Sequence, residues 1–200
     1  MRKILLLSIA VLLVSCSQGP NISKPFKYSK NTIKFQNNTI TLTSSYVKTS
    51  RDEFVTELDS LDETSKFKKI ALDELKKVES KNVDYEIFVD ENNIENYVFI
   101  YVCDFYLLSE HRAAKVVSAM SRQLERESSR QDVRYKRIHG RFFFTPDSKV
   151  VKLKYLKAYK SQRKFQTEYI VASKKGGIGL LISNLNDIDF ESSIKRLASN

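Results

Sequence analysis

The sequence predicts an α+β domain built on one antiparallel sheet with helices packed on it. Apolar residues recur at helical spacing in stretches around 62–80, 109–128 and 187–198. Elsewhere they alternate singly, as in strands with two different faces. From Val133 to Ser183 the alternating stretches follow one another through short connections, and short connections join antiparallel neighbours.

Ile33-Lys34-Phe35 and Thr39 to Thr43 read as a hairpin over Gln36-Asn37-Asn38, with Ile40 and Leu42 alternating with threonines. Ser50-Arg51-Asp52-Glu53 has the pattern of a capping box, in which Ser and Glu each satisfy an unpaired backbone N–H, and it opens a short turn of helix. Ser60-Leu61-Asp62-Glu63 repeats the pattern and opens a long helix to about Ser80, with a buried stripe of Phe67, Ile70, Ala71, Leu75 and Val78. Asp62 and Glu63 near its start and Lys76 and Lys77 near its end complement the helix dipole.

Val83, Tyr85, Ile87 and Val89 share one side of a strand, and Asp90-Glu91-Asn92-Asn93 turns the chain. Ile94 to Leu107 is too apolar to be half exposed, so it is read as central and covered on both faces. Ser109 caps a second long helix to about Ser128, burying Ala113, Val116, Val117, Met120 and Leu124. Strands follow at 133–138, 140–145, 149–159, 165–173 and 178–183. His139-Gly140 turns between the first two. Pro146-Asp147-Ser148, Ser161-Gln162-Arg163 and Lys174-Lys175-Gly176-Gly177 separate the others. A last helix, about 187–198, buries Phe190, Ile194, Leu197 and Ala198.

A hairpin, a helix, two strands, a helix, a meander and a closing helix, in that order, resemble the PsbP-like fold. The best local match is the ending: Ile178-Gly179-Leu180-Leu181-Ile182 leads through a polar turn into Asp189-Phe190-Glu191-Ser192-Ser193-Ile194, like that family's last strand and helix. The resemblance covers most of residues 33–198. It implies an α/β/α sandwich that serves as a binding or assembly module, and it transfers no functional residue, because no binding motif matches.

The N-terminus has its own logic. Met1-Arg2-Lys3 is cationic, Ile4 to Val14 is apolar apart from Ser8, and Ser15-Cys16 follows, which is the layout of a signal peptide over residues 1–15. The apolar run is far shorter than the roughly 20 residues that span a bilayer. Leu13-Val14-Ser15-Cys16 resembles the bacterial lipobox. The resemblance implies a diacylglyceryl group on the Cys16 thiol, cleavage before Cys16, and acylation, such as by palmitate, of the new amine. Three chains exceed the two that stable anchoring needs. Ser17, where aspartate would favour inner-membrane retention, favours the outer membrane if the cell is Gram-negative. Residues 16–32, with Pro20 and Pro25, read as a tether reaching roughly 20–24 Å. Residues 33–200 make one domain.

Cleavage removes Arg2 and Lys3 and takes the net charge from +10 to +8. A positive excess favours anionic lipid or an acidic protein. Nucleic acid is not an expected partner of an exported lipoprotein. With Cys16 lipidated, Cys103 is the one remaining cysteine and has no disulfide partner, and its apolar neighbours predict a buried thiol.

The sequence offers little chemistry. His111 and His139 have no second ligand at metal spacing, and no nucleophile elbow or phosphate loop is present. No cofactor is implied. Asn186-Asp187-Ile188-Asp189, followed by Glu191, suits either a helix cap or weak binding of a hard cation. The most biased stretch is basic: Lys152, Lys154, Lys157, Lys160, Arg163 and Lys164, with no acid among them. It reads either as a solvated sheet face whose lysines discourage edge pairing or as a docking face for anionic lipid or an acidic protein. The functional expectation is a membrane-anchored, non-enzymatic binding or assembly module of the cell envelope. The alternative is a carrier or enzyme whose small-ligand pocket is assembled from distant residues.

Overall fold

The computed structural model describes residues 28–32, 39–43, 45–62, 65–103, 108–173 and 176–198. Cys16, residues 1–15 expected as a signal peptide, the expected strand Ile33-Lys34-Phe35 and turn Gln36-Asn37-Asn38, and Lys174-Lys175 lie outside the described residues. The elements are β1 (Tyr28–Thr32), β2 (Thr39–Thr43), β3 (Tyr46–Thr49), α1 (Arg51–Asp59), α2 (Lys66–Glu79), β4 (Tyr85–Asp90), β5 (Asn93–Cys103), α3 (Glu110–Gln131), β6 (Arg134–Phe144), β7 (Ser148–Tyr159), β8 (Gln162–Ser173), β9 (Gly176–Asn184) and α4 (Glu191–Ala198).

Seven strands form one antiparallel sheet in the order β3-β4-β5-β9-β8-β7-β6. The two antiparallel strands β1 and β2 form a separate ribbon. On one face Phe88, Val98, Ile100, Val150, Leu180 and Ile182 meet Ile40 and Leu42 of β2 and Phe190 and Ile194 beside and on α4. On the other face Ile87, Tyr97, Phe99 and Leu181 meet Phe54 and Leu58 of α1 and Ala71, Leu75 and Val78 of α2. Val151 and Ala172 meet Ala113 of α3. Both faces are therefore covered, and each fully buried large apolar side chain contributes about 1.5–3 kcal/mol. Among the described residues no helix is long and apolar enough to cross a membrane.

Several boundaries move for physical reasons. β1 falls inside the stretch read as tether, because Tyr28–Thr32 pairs with Thr39–Thr43 residue for residue. The first capping box forms: Glu53 N–H donates to Ser50 Oγ at 3.2 Å and Ser50 N–H to Glu53 Oε2 at 2.9 Å, and the helix it opens runs nine residues. The second does not. Ser60 ends α1, with its hydroxyl donating to the Glu57 carbonyl, and α2 begins after Ser65. His139-Gly140 is not a turn. β6 is continuous past it, with a bulge between Arg137 and His139. Cys103 is half-buried at the end of β5.

Candidate functional site

β7 carries Lys152, Lys154 and Lys157, and β8 carries Lys164. The expectation of an exposed basic face is corrected here. These four are only 2–5 % exposed, because both faces of their strands are covered. Only Lys160 and Arg163, at the β7–β8 turn, are on the surface.

Lys152 and Lys154 point toward the segment that leads into α4. Lys152 Nζ lies 3.2 Å from Asp189 Oδ1 and 3.2 Å from Glu191 Oε2, and Lys154 pairs with Asp187. Arg141 on β6 reaches Glu191 Oε2 at 3.1 Å. The acidic cluster of 187–191 is thus the counter-charge of the basic run. Asp189 also accepts the Glu191 N–H at 2.9 Å, the capping role foreseen for it. Burial opposes ionisation of both Asp189 and Glu191. The Glu191 N–H and Lys152 on the first, and Lys195 and Lys152 on the second, outweigh it and hold both carboxyls below the ordinary range. Among the described residues no group of three His, Cys, Asp or Glu could hold a metal ion.

The other face builds a site. Register sets three rows across β5, β9, β8 and β7: Tyr101, Gly179, Ile170, Val151; then Phe99, Leu181, Glu168, Leu153; then Tyr97, Ser183, Gln166, Tyr155. Lys164, Gln166 and Glu168 therefore form a polar column on β8 within an otherwise largely apolar face. Above it α2 and α3 leave a cleft of about 360 Å³, whose floor includes Gln166, Glu168 and Tyr155. Lys77 Nζ of α2 bridges to Glu127 Oε1 of α3 at 2.5 Å. The Tyr101 ring lies against Gly179, where a Cβ would meet its ring carbons at 2.3 Å, so the glycine makes room for a ring that lines the cleft.

The charges under the cleft are unevenly matched. Glu74 of α2 is buried, pairs with Lys157 and accepts the Tyr97 hydroxyl at 2.6 Å on Oε2. Lys164 donates to the Glu95 carbonyl and lies over the rings of Tyr97, at 4.9 Å, and Phe67, at 5.5 Å. Burial pushes its ammonium down to about 8. Glu168 receives the Tyr155 hydroxyl at 2.8 Å and the Gln166 amide at 3.1 Å, both on Oε1. Among the described residues no cation comes within 4 Å of it. Burial raises its carboxyl above the ordinary range, against the pull of Tyr155, Lys157 and Gln166. Gln166 donates its amide N–H to Glu168 and leaves Oε1 buried with no donor.

Sequence reading placed β8 and missed this site. Phe165-Gln166-Thr167-Glu168-Tyr169 has polar side chains on alternate positions of a strand that lies inside a sheet covered on both faces. Buried polar groups need partners, so Gln166 and Glu168 were the available signal. His111 is exposed in the first turn of α3. His139 sits beside the β6 bulge with Nε2 buried and unpartnered, and burial, then Lys152 and Lys154, lower its basicity.

No protein-family model matches the chain, and no curated protein matches it. Among solved structures, the chain is similar to the solution structure of cyanobacterial PsbP (CyanoP) from Synechocystis sp. PCC 6803. The match has 11 % sequence identity, covers 94 % of this chain and 96 % of that one, and has a TM-score of 0.52. The fold is PsbP-like.

Proposed function

We propose that this chain is a lipid-anchored, non-enzymatic binding module of the cell envelope, tethered through Cys16, and that it holds a small ligand in the cleft between α2 and α3. The charged start, short apolar run and Leu13-Val14-Ser15-Cys16 support the anchor. The observation that carries the binding reading is Glu168, a carboxyl on the floor of a cleft with no cation within 4 Å among the described residues. The cleft volume falls within the roughly 300–1,000 Å³ of small-molecule sites, and its lining mixes apolar side chains with charged and polar ones. The tether would keep that cleft close to the membrane surface.

The test compares the wild type with Leu124→Trp, which fills the cleft from α3, and with Cys16→Ser. Each is expressed with labelled palmitate and recovered from cell membranes in mild detergent, and its bound small molecules are extracted for mass spectrometry. Wild type should carry label and a compound that Leu124→Trp lacks, and Cys16→Ser should lose the label and leave the membrane fraction. Identical extracts from wild type and Leu124→Trp would overturn the cleft, and label in Cys16→Ser would overturn the anchor.

A second reading keeps a docking surface but moves it to edge strand β6. There Arg134, Lys136 and Arg137 are exposed near the exposed Ile138, and Phe144 is exposed at the far end of the same strand. That mixture suits anionic lipid or an acidic protein.

A further inference from the structure

We propose that the ligand of the α2–α3 cleft is an organic cation, an ammonium group carried on a small apolar body. The inference rests on the reading of the cleft as a binding site and names what would fill it.

Two oxygens on the floor, Glu168 Oε2 and Gln166 Oε1, receive no side-chain donor. Glu168 accepts from Tyr155 and Gln166 on Oε1 alone, and Gln166 Oε1 has no donor. Beside them, one Gln166 amide N–H and the Tyr155 hydroxyl go to Glu168. The other carboxylates lining the cleft are already matched. Glu74 has Lys157 and the Tyr97 hydroxyl, and Glu127 has Lys77 and the Gln123 amide, the latter at 3.1 Å. A ligand that brings donors and positive charge therefore completes the floor, whereas one that brings a carboxylate meets Glu168 and Glu74. A hard metal ion would want several oxygens converging, and among the described residues no such group exists.

The walls define the body. Ile170, Leu181 and the Tyr101 ring flank the polar groups on the sheet, and Val78, Met120 and Leu124 face them from the helices, with Lys77, Gln123 and Glu127 also in the lining. The apolar side chains match a compact hydrocarbon, and the methionine adapts its shape to it. Lys81 stands at the rim, exposed, 5.3 Å from the centre of the Tyr101 ring, where solvent and salt screen it. Burial already holds the Glu168 carboxyl above its ordinary value, and a cation seated against it would bring it back down.

The test uses three probes with one body, benzylammonium, benzyl alcohol and benzoate. Each is titrated into the full chain while the methyl NMR signals of Met120, Leu124, Ile170 and Leu181 are followed. Benzylammonium should shift these signals saturably and bind about tenfold or more tightly than either other probe, the scale of a charge-assisted hydrogen bond. Glu168→Gln keeps the shape of the floor and should erase that preference while methyl signals elsewhere stay in place. If benzyl alcohol or benzoate binds in the cleft as well as benzylammonium, or if Glu168→Gln leaves the preference intact, the cationic class is wrong and the cleft stands. If no probe moves the cleft methyls, the binding reading falls with it.

Discussion

Replacing Lys164 with Met removes a charge that the fold holds at a cost. Burial lowers that ammonium from its ordinary 10.5 to about 8. A tenfold change in a protonation equilibrium corresponds to about 1.4 kcal/mol, so the buried charge costs about 3 kcal/mol at neutral pH. The folded protein releases this proton before the unfolded chain does. Between about pH 8 and about pH 10.5 the unfolded chain holds more protons, and stability rises with pH. The Met side chain does not titrate. It also gives up the hydrogen bond to the Glu95 carbonyl, about 1 kcal/mol at every pH. Lys164→Met should therefore exceed the wild type by about 2 kcal/mol near pH 6.5, and that advantage should shrink by about 2 kcal/mol by pH 9.5. Urea unfolding followed by circular dichroism at both pH values measures the difference. A difference that does not change with pH would mean that Lys164 keeps an ordinary affinity for its proton inside the fold.

Three further perturbations probe the same interior. Glu74→Gln and Lys157→Met should each destabilise by about 3–5 kcal/mol, since each leaves a buried charge alone, and the double variant should recover most of that loss in a denaturant-unfolding cycle. Lys152→Glu with Lys154→Glu would set like charges against Asp187, Asp189 and Glu191, so the cooperative unfolding transition seen by circular dichroism should be lost; an unaltered transition would mean these lysines reach solvent. Gly179→Ala drives a methyl into the Tyr101 ring and should cost about 1–3 kcal/mol, and adding Tyr101→Ala should relieve the clash, both read from the urea midpoint.

Much of the frame is legible in the sequence, because periodicity reports which faces are covered. The stripes Phe67, Ile70, Ala71, Leu75, Val78 and Ala113, Val116, Val117 do pack on the sheet, and the apolar run from Ile94 does become a strand paired on both sides. Of the two glycines read as part of a loop, Gly176 has φ 124°, which other residues rarely adopt, but both belong to the start of β9. The errors arise where local pattern competes with tertiary context. Ser60 has the sequence of a helix start but closes the helix already under way. The basic run looked solvated because alternation alone does not reveal that both faces of β7 are covered. Its counter-charges, Glu74 and the 187–191 segment, lie at least 30 residues away in the chain. Only the folded register brings lysine and carboxylate together, and the same register assembles the cleft floor from β8, β9 and β5.

Glu168 is a carboxyl on the cleft floor with no cation within 4 Å among the described residues, and its own titration measures the consequence. With carbon-13 placed in the glutamate carboxyl groups and the signal assigned through Glu168→Gln, its chemical shift is followed as pH rises. The carboxyl should ionise above the ordinary glutamate range, because burial dominates over the bonds from Tyr155 and Gln166. Ionisation at or below that range would contradict it, since the carboxyl would then be hydrated or already matched and the cleft would hold no unmet demand for a cation.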